Sequence, residues 1–466
     1  MKSGTIAAIA TSLTESGISI IRISGEDAFK IADHIFISKS QKKVCDFKSQ
    51  TIHYGMIVEN EEPVDEVLLS VFRSPHSYTT EDVVEINCHG GILLTKKILS
   101  IILKNGAELA QPGEFTKRAF LNGRIDLVKA QAVMDLIEAD SDIALRNGMN
   151  QLSGRLSSSI KKIRESILYE IAFIESALDD PEHIILDHYE EKLQIKVIEI
   201  KKELSKMYDS YDDGSKIKDG INTVILGKPN AGKSSLLNFL SGKERAIVTD
   251  IAGTTRDLLE ETVLLQDVKL NLIDTAGIHE AEDEVERIGI NRAKNAAKEA
   301  DLLLYIVDAS KEIDQNDLEI IKMTHYKNQI VLLNKTDLEQ ITDIQDVKNI
   351  FSNFENMECE NIKFINISAK TGDGIEELVS TIKSMFLKGI ISLNNEVMIT
   401  NLRQRGEIKE ALDSLSYVLK SIEESVPEDF LTIDLVNAYE SLGRMIGEEI
   451  GEDVVNEIFS KFCMGK

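Results

Sequence analysis

Apolar residues recur at steps of three and four along the middle of the chain. Leu152, Leu156, Ile160, Ile163, Ile167, Ile171, Ile174 and Leu178 predict one continuous apolar face on a long helix, stopped at Asp179-Asp180-Pro181. Leu193, Val197, Ile200 and Leu204 predict a second helix from about 190 to 208, with Asp212-Asp213-Gly214-Ser215 after it as a linker. Residues 399–424 and 431–462 have the helical period again. Two helical halves that each need a partner face most economically pack together, which predicts one helical domain with an insertion looped out of it. Separate helical tails are the alternative.

The segment between these halves has a different rhythm. Short apolar runs at 224–226, 268–273, 330–333 and 364–367 each end in polar or glycine residues, as strands do in an α/β domain. Residues 1–118 differ again. The β-like runs 5–10, 18–23 and 83–86, with helical segments near 26–35 and 93–104, predict a compact α+β domain. The expected layout is an N-terminal α+β domain at 1–118, a first helical half at 119–216, an inserted α/β domain at 217–383 and a second helical half at 384–466.

The chemistry lies in the insertion. Residues 227–234 read Gly-Lys-Pro-Asn-Ala-Gly-Lys-Ser after Val224-Ile225-Leu226, a strand feeding a phosphate loop that opens a helix. Gly227 and Gly232 permit the tight turn that points backbone N–H groups at phosphate oxygens. The loop supplies Asn230, Ala231, Gly232, Lys233, Ser234 and Ser235 as candidate contacts, with Lys233 on the β/γ-phosphates and Ser234 on magnesium. Asp274-Thr275-Ala276-Gly277 places a carboxylate near that magnesium and an N–H near a γ-phosphate. Asn334-Lys335-Thr336-Asp337 predicts guanine recognition, because a carboxylate accepts two hydrogen bonds that adenine cannot offer. Ser368-Ala369-Lys370 is the expected backbone support for the base. Each motif is weak alone; four in order, each ending an apolar strand, predict a GTP-binding domain.

Between the first two motifs lies 246–257, in which Thr255 is a candidate second magnesium ligand. Ile278 stands where Ras-like GTPases carry the glutamine that orients water, and no arginine finger is evident; Arg256 is a weak candidate. A finger is worth on the order of 10³–10⁵ in rate, so a fast enzyme needs another cation. Asn230, with oxygens from the loop around Thr249 to Thr254, predicts an all-oxygen site for a hard cation.

Length and charge narrow the partners. A chain of 466 residues predicts two to three domains. It has no run of 18 apolar residues and no signal-peptide pattern, so a cytoplasmic protein without a membrane span is expected. Cys45, Cys88, Cys359 and Cys463 are scattered, which fits a reducing compartment and no disulfide framework. A net charge of −26 disfavours a basic coat for nucleic acid, so any RNA contact is local or shared with a partner.

Several segments carry a family resemblance. Ile20-Ile-Arg-Ile-Ser-Gly25, Ser77-Tyr-Thr79, His89-Gly-Gly91, Pro112-Gly-Glu-Phe-Thr116, the run Arg118–Leu127, Asp283-Glu-Val-Glu-Arg-Ile-Gly289, the Gly-Thr-Thr-Arg loop and Phe462-Cys-Met-Gly-Lys466 resemble the tRNA modification GTPase MnmE (TrmE) family over the full length. The resemblance implies a homodimer joined through the N-terminal domains. It implies a one-carbon folate such as 5-formyltetrahydrofolate, with Arg22, Glu85, Arg124 and Lys466 as contacts. A pterin ring suits a carboxylate and a glutamate tail suits cations. It further implies potassium held by Asn230, Thr249, Ile251 and Thr254, Glu286 as the water-organising group, and Cys463 as a candidate chemical participant. The implied partners are tRNA and a FAD-dependent protein of the MnmG (GidA) type, joined in a heterotetramer that modifies the 5-position of the wobble uridine. A ribosome-assembly switch GTPase is the competing reading; it would carry a basic RNA-binding domain in place of the folate-type domain. One departure is the loop Ser12-Leu-Thr-Glu-Ser-Gly17, where the family usually has prolines; it bears on folate affinity more than on folate identity.

Overall fold

A computed structural model describes residues 4–180, 183, 189–243, 261–273, 300–324, 328–352, 362–387, 398–448 and 450–465. Its chain forms two compact units. One comprises Met1–Met134, Gln151–Glu190 and Ser414–Lys466; the other comprises Asp135–Asn150 and Glu191–Asp413.

The first unit is built on strands β1 (Ile6–Ile9), β2 (Ser16–Ser24), β3 (Phe36–Ser38), β4 (Thr51–Glu59), β5 (Glu62–Phe72), β6 (Val83–Gly90) and β7 (Glu108–Leu109). They form one sheet in the order β3-β4-β5-β6-β2-β1-β7, antiparallel except for the β1–β7 pair. Alternation sets its inner face. Ile21, Ile23, Leu69, Val71, Val84 and Ile86 pack against helices Ala28–Ile35 and Ile92–Lys104. The β4–β5 hairpin turns at Asn60-Glu61, both with positive φ (52° and 69°), as a type I′ turn requires.

Helices Arg155–Asp179 and Glu428–Ile446 pack together in this unit, so the apolar faces on either side of the insertion do meet. Buried Arg164 fastens them: its Nε donates to the Tyr439 carbonyl at 3.1 Å, its Nη1 pairs with Glu448, and its guanidinium lies 4.0 Å from the Tyr439 ring centroid. The long apolar stripe is not one helix, however. Asp142–Leu152 and Arg155–Asp179 are separated at Gly154, whose φ of 84° is incompatible with a continuing right-handed helix. Leu178, at the stripe's far end, is 46% exposed.

The second unit carries β8 (Ile221–Gly227), β9 (Glu261–Leu265), β10 (Val268–Leu272), β11 (Leu302–Asp308), β12 (Gln329–Asn334) and β13 (Ile362–Asn366). The sheet order is β13-β12-β11-β8-β10-β9, parallel apart from the β9–β10 hairpin. β11 is buried throughout, as expected of a strand covered on both faces. Leu302, Leu304 and Ile306 join one core, and Leu303, Tyr305 and Val307 the other. This open parallel sheet is the α/β domain expected from the short apolar runs.

The expected linker at 212–215 is helical, inside Tyr189–Asp219. Tertiary contacts override the turn-forming composition there. Arg405 pairs with Asp212 at 3.2 Å and stacks on the Tyr208 and Tyr211 rings, while Ser210 Oγ accepts from the Ile399 N–H at 3.2 Å. Among the described residues, no helix is long and apolar enough to cross a membrane. Cys45, Cys88 and Cys463 are free.

Candidate functional site

β8 runs into the turn Lys228-Pro229-Asn230-Ala231. Ala231 N–H donates to the Lys228 carbonyl at 3.2 Å, proline occupies the second position, and Asn230 has φ 63°. These are the features of a type II turn, which needs a positive φ at its third residue. Gly232 follows with φ 105°; a Cβ there would lie 2.1 Å from Asn334 Nδ2, so a side chain is excluded. Helix Lys233–Lys243 begins at this point, and the N–H groups of a helix's first turn have no partner within the helix. Lys233 Nζ donates to the carbonyls of Gly227 (2.7 Å) and Lys228 (2.8 Å), and burial lowers its pKa from the ordinary lysine value.

The ends of β12 and β13 converge on the same loop. Asn334, buried at 2% exposure, donates from Nδ2 to the Ala231 carbonyl at 2.8 Å and accepts the Ala369 N–H on Oδ1 at 3.0 Å. One amide therefore ties the phosphate loop to the Ser368-Ala369-Lys370 loop. Ser368 Oγ donates to Asp337 Oδ1 at 2.8 Å, orienting a carboxylate that is otherwise exposed. Lys335 pairs with Asp308 at 2.6 Å. Burial opposes the Asp308 charge, but bonds from Lys335 and Ser310 outweigh it and hold the pKa below the usual carboxylate value. Asp308 was not a sequence candidate; a wholly apolar strand ending in a carboxylate is the signal that could have found it.

A second cluster lies in the other unit. Arg22 on β2 faces Glu85 on β6 in register, with Nε donating to Oε1 at 2.8 Å. Its Nη1 donates to the Gly465 carbonyl at 3.3 Å, so a residue 443 positions later shares this cation. The Arg22 guanidinium lies 5.5 Å from the Tyr78 ring centroid and 5.4 Å from that of Phe115. Arg124 lies 4.8 Å from the Tyr78 centroid and donates to the Tyr78 carbonyl at 3.1 Å. Buried Arg118 pairs with Glu81 (3.1 Å) and Glu114 (2.8 Å). Sequence reasoning passed over Tyr78 and Arg118 as roles, although both fall in the quoted segments. Cys463 is exposed, and its carbonyl accepts the Gly113 N–H at 3.3 Å. Residues 12–17 are exposed, and the last two of them, Ser16 and Gly17, belong to strand β2 and not to the expected loop.

Several candidates lie outside the described residues: Thr249, Ile251, Thr254, Thr255, Asp274, Thr275, Ala276, Gly277, Glu286 and Lys466.

A parallel sheet with a phosphate loop after one strand, and an Asn-Lys-x-Asp loop locked to a Ser-Ala-Lys loop after two others, defines a P-loop GTPase domain of the Ras-like class. A family model described as GTP-binding protein TrmE N-terminus matches residues 5–124, and one described as MnmE helical domain matches residues 127–463. The chain is 52% identical over 467 residues to the tRNA modification GTPase MnmE of Lachnoclostridium phytofermentans, covering 100% of both chains. It is 46% identical over 462 residues to that of Clostridioides difficile, covering 99% of each. A solved structure of Era in complex with MgGDPNP and a segment of 16S ribosomal RNA is 28% identical, with 42% of this chain and 66% of that chain covered and a TM-score of 0.27. The chain belongs to the tRNA modification GTPase MnmE family.

Proposed function

We propose that this chain is a potassium-activated GTP hydrolase. With a FAD-dependent partner of the MnmG type and a one-carbon folate, it adds a (carboxymethyl)aminomethyl group at the 5-position of the tRNA wobble uridine. The observation that carries the GTP reading is the Asn334 amide joining the phosphate loop to the base-side loop. In this reading Asn230, Ala231, Gly232, Lys233, Ser234 and Ser235 wrap the phosphates, and Asp337 accepts from the guanine edge with Lys335, Ser368, Ala369 and Lys370 around it. Ser234 opens its helix beside Lys233 and supplies a hydroxyl suited to magnesium, with Thr255 as the second ligand and Asp274 behind it. Asn230 supplies an amide oxygen from a fixed turn, a donor suited to potassium, alongside Thr249, Ile251 and Thr254. Potassium would add the positive charge that an arginine finger provides elsewhere. Glu286 organises the attacking water in place of the missing glutamine.

The Arg22–Glu85 pair supports the folate part of the reading. Two guanidinium groups, one carboxylate and an aromatic face stand together, which matches a flat pterin with an anionic tail. Lys466 follows Gly465, which Arg22 already holds. We place the domain boundaries at 118, 216 and 383, the protein in the cytoplasm, and the N-terminal domain as the homodimer contact.

The test is paired. GTP hydrolysis in potassium is expected to exceed that in sodium at equal ionic strength, and tRNA from cells lacking the protein is expected to lack the wobble modification. Equal rates in both salts would remove the potassium assignment; unchanged nucleosides would remove the tRNA assignment.

A further inference from the structure

The first variable position of the phosphate loop is occupied by Lys228, a residue the loop pattern treats as free to vary. Its side chain does not point into solvent; it is 15% exposed, and its ammonium contacts Asp317 Oδ2 at 2.5 Å and Asp314 Oδ2 at 2.9 Å. Asp317 is 2% exposed at its side chain and also accepts the hydroxyl of wholly buried Tyr305 at 2.8 Å. A continuous polar chain thus runs from the loop, through the first turn of helix Gln315–Thr324, to the core strand β11. Burial acts to lower the Lys228 pKa, yet the bonds its ammonium donates to Asp317 and Asp314 raise it, so the ammonium stays charged.

The backbone of the same residue carries the other half of the argument. The Lys228 carbonyl accepts the Ala231 N–H that closes the type II turn, and it accepts Lys233 Nζ. Whatever fixes Lys228 therefore fixes the start of the turn in which Asn230 takes its positive φ. A salt bridge on an exposed surface would do little here. This one involves a carboxylate only 2% exposed, and removing the ammonium leaves Asp317 Oδ2 with the Asp314 N–H at 3.2 Å in place of a full counter-charge.

We propose that Lys228 is a positioning residue for the GTPase: clamped by Asp314 and Asp317, it sets the Lys228–Ala231 turn and thereby the aim of Asn230 and of the phosphate-facing backbone. The inference rests on the proposed potassium role of Asn230 for its effect on turnover, and on the loop alone for its effect on nucleotide binding.

The full-length protein is tested as wild type, Lys228→Met, Lys228→Arg and Asp317→Asn. Two quantities are read that do not depend on the fraction of folded protein: the dissociation rate of a fluorescent GDP, and the potassium concentration giving half-maximal GTP hydrolysis at saturating GTP. Lys228→Met and Asp317→Asn are each expected to raise both by about tenfold, since a small displacement of a preorganised group is costly. Lys228→Arg, which exchanges the ammonium for a guanidinium but keeps a positive charge and donors able to meet two carboxylates, is expected to bring both to within about threefold of wild type. A Lys228→Met protein with wild-type values for both would overturn the proposal. A wild-type enzyme indifferent to potassium would overturn the potassium role instead, and the GDP dissociation rates would then decide the clamp by themselves.

Discussion

Replacing Asn334 by alanine tests how the nucleotide site is held together. The amide makes two hydrogen bonds across a gap that no other described side chain bridges in the same way: to the Ala231 carbonyl at 2.8 Å and from the Ala369 N–H at 3.0 Å. Each such bond contributes about 0.5–1.5 kcal/mol net, and each buried partner left unpaired costs about 1–3 kcal/mol. Nucleotide-free Asn334→Ala protein can relax the two loops toward water and recover part of that penalty. Binding then has to bring them back together, so a loss of about 2–3 kcal/mol appears in affinity, or roughly 30- to 150-fold in the dissociation constant. Titration of a fluorescent GDP reads this directly. Asn334→Asp is the companion variant: it still accepts from Ala369 N–H but faces the Ala231 carbonyl with an acceptor, so it is expected to be no better than alanine. Affinity within about threefold of wild type for Asn334→Ala would refute the bridging argument, because threefold is about 0.65 kcal/mol, less than the loss of two bonds at even about 0.5 kcal/mol each.

Two further outcomes are expected. Arg164→Ala removes the bond to the Tyr439 carbonyl, the ring stack and the Glu448 pair; discounting the last because Glu448 is half exposed leaves about 2 kcal/mol, or about 4–8 °C in the unfolding of its unit by calorimetry, and a shift below about 1 °C would contradict the packing role. At the exposed His89, the hydrogen bond that Nδ1–H donates to Asp65 Oδ1 at 2.6 Å raises the imidazole pKa above its ordinary value. A raised folded pKa means that the pair's stabilisation is complete below about pH 6.5 and is lost as pH rises through the folded value. Asp65→Asn is expected to bring the NMR titration midpoint of His89 down toward about 6.5, and an unmoved midpoint would count against the pairing.

The sequence was most legible where periodicity and chemistry coincide. β8 and β12 end at the motif residues Gly227 and Asn334, and β13 ends at Asn366, two residues before Ser368, because strand ends in an open parallel sheet are where ligands bind. It was least legible where tertiary contacts overrule composition. Asp212-Asp213-Gly214-Ser215 reads as a linker, yet Arg405 holds it in helix through Asp212 and two tyrosine rings. The β4–β5 hairpin escaped notice because its turn is Asn60-Glu61 and lacks the glycine that usually marks two positive φ values. The apolar stripe through 152 was real as a pattern, but Gly154 breaks it, and period alone does not report a backbone angle. Arg22 and Glu85 were named only through family resemblance; their cross-strand registry, 63 residues apart, is a consequence of sheet pairing that spacing cannot disclose.

The bond from Arg22 to the Gly465 carbonyl has a consequence for how the protein is made. The N-terminal sheet can pair its strands while later segments are still being translated, since all of them lie before residue 110. Its arginine cluster, however, gains the Gly465 contact only after more than three hundred further residues have left the ribosome. A nascent chain can thus hold a folded first domain whose arginine cluster is unfinished, and completes it only when synthesis has passed through the GTPase and the second helical half. Any small-molecule affinity that depends on this contact would then report, during biogenesis, that the distant segment has arrived and docked.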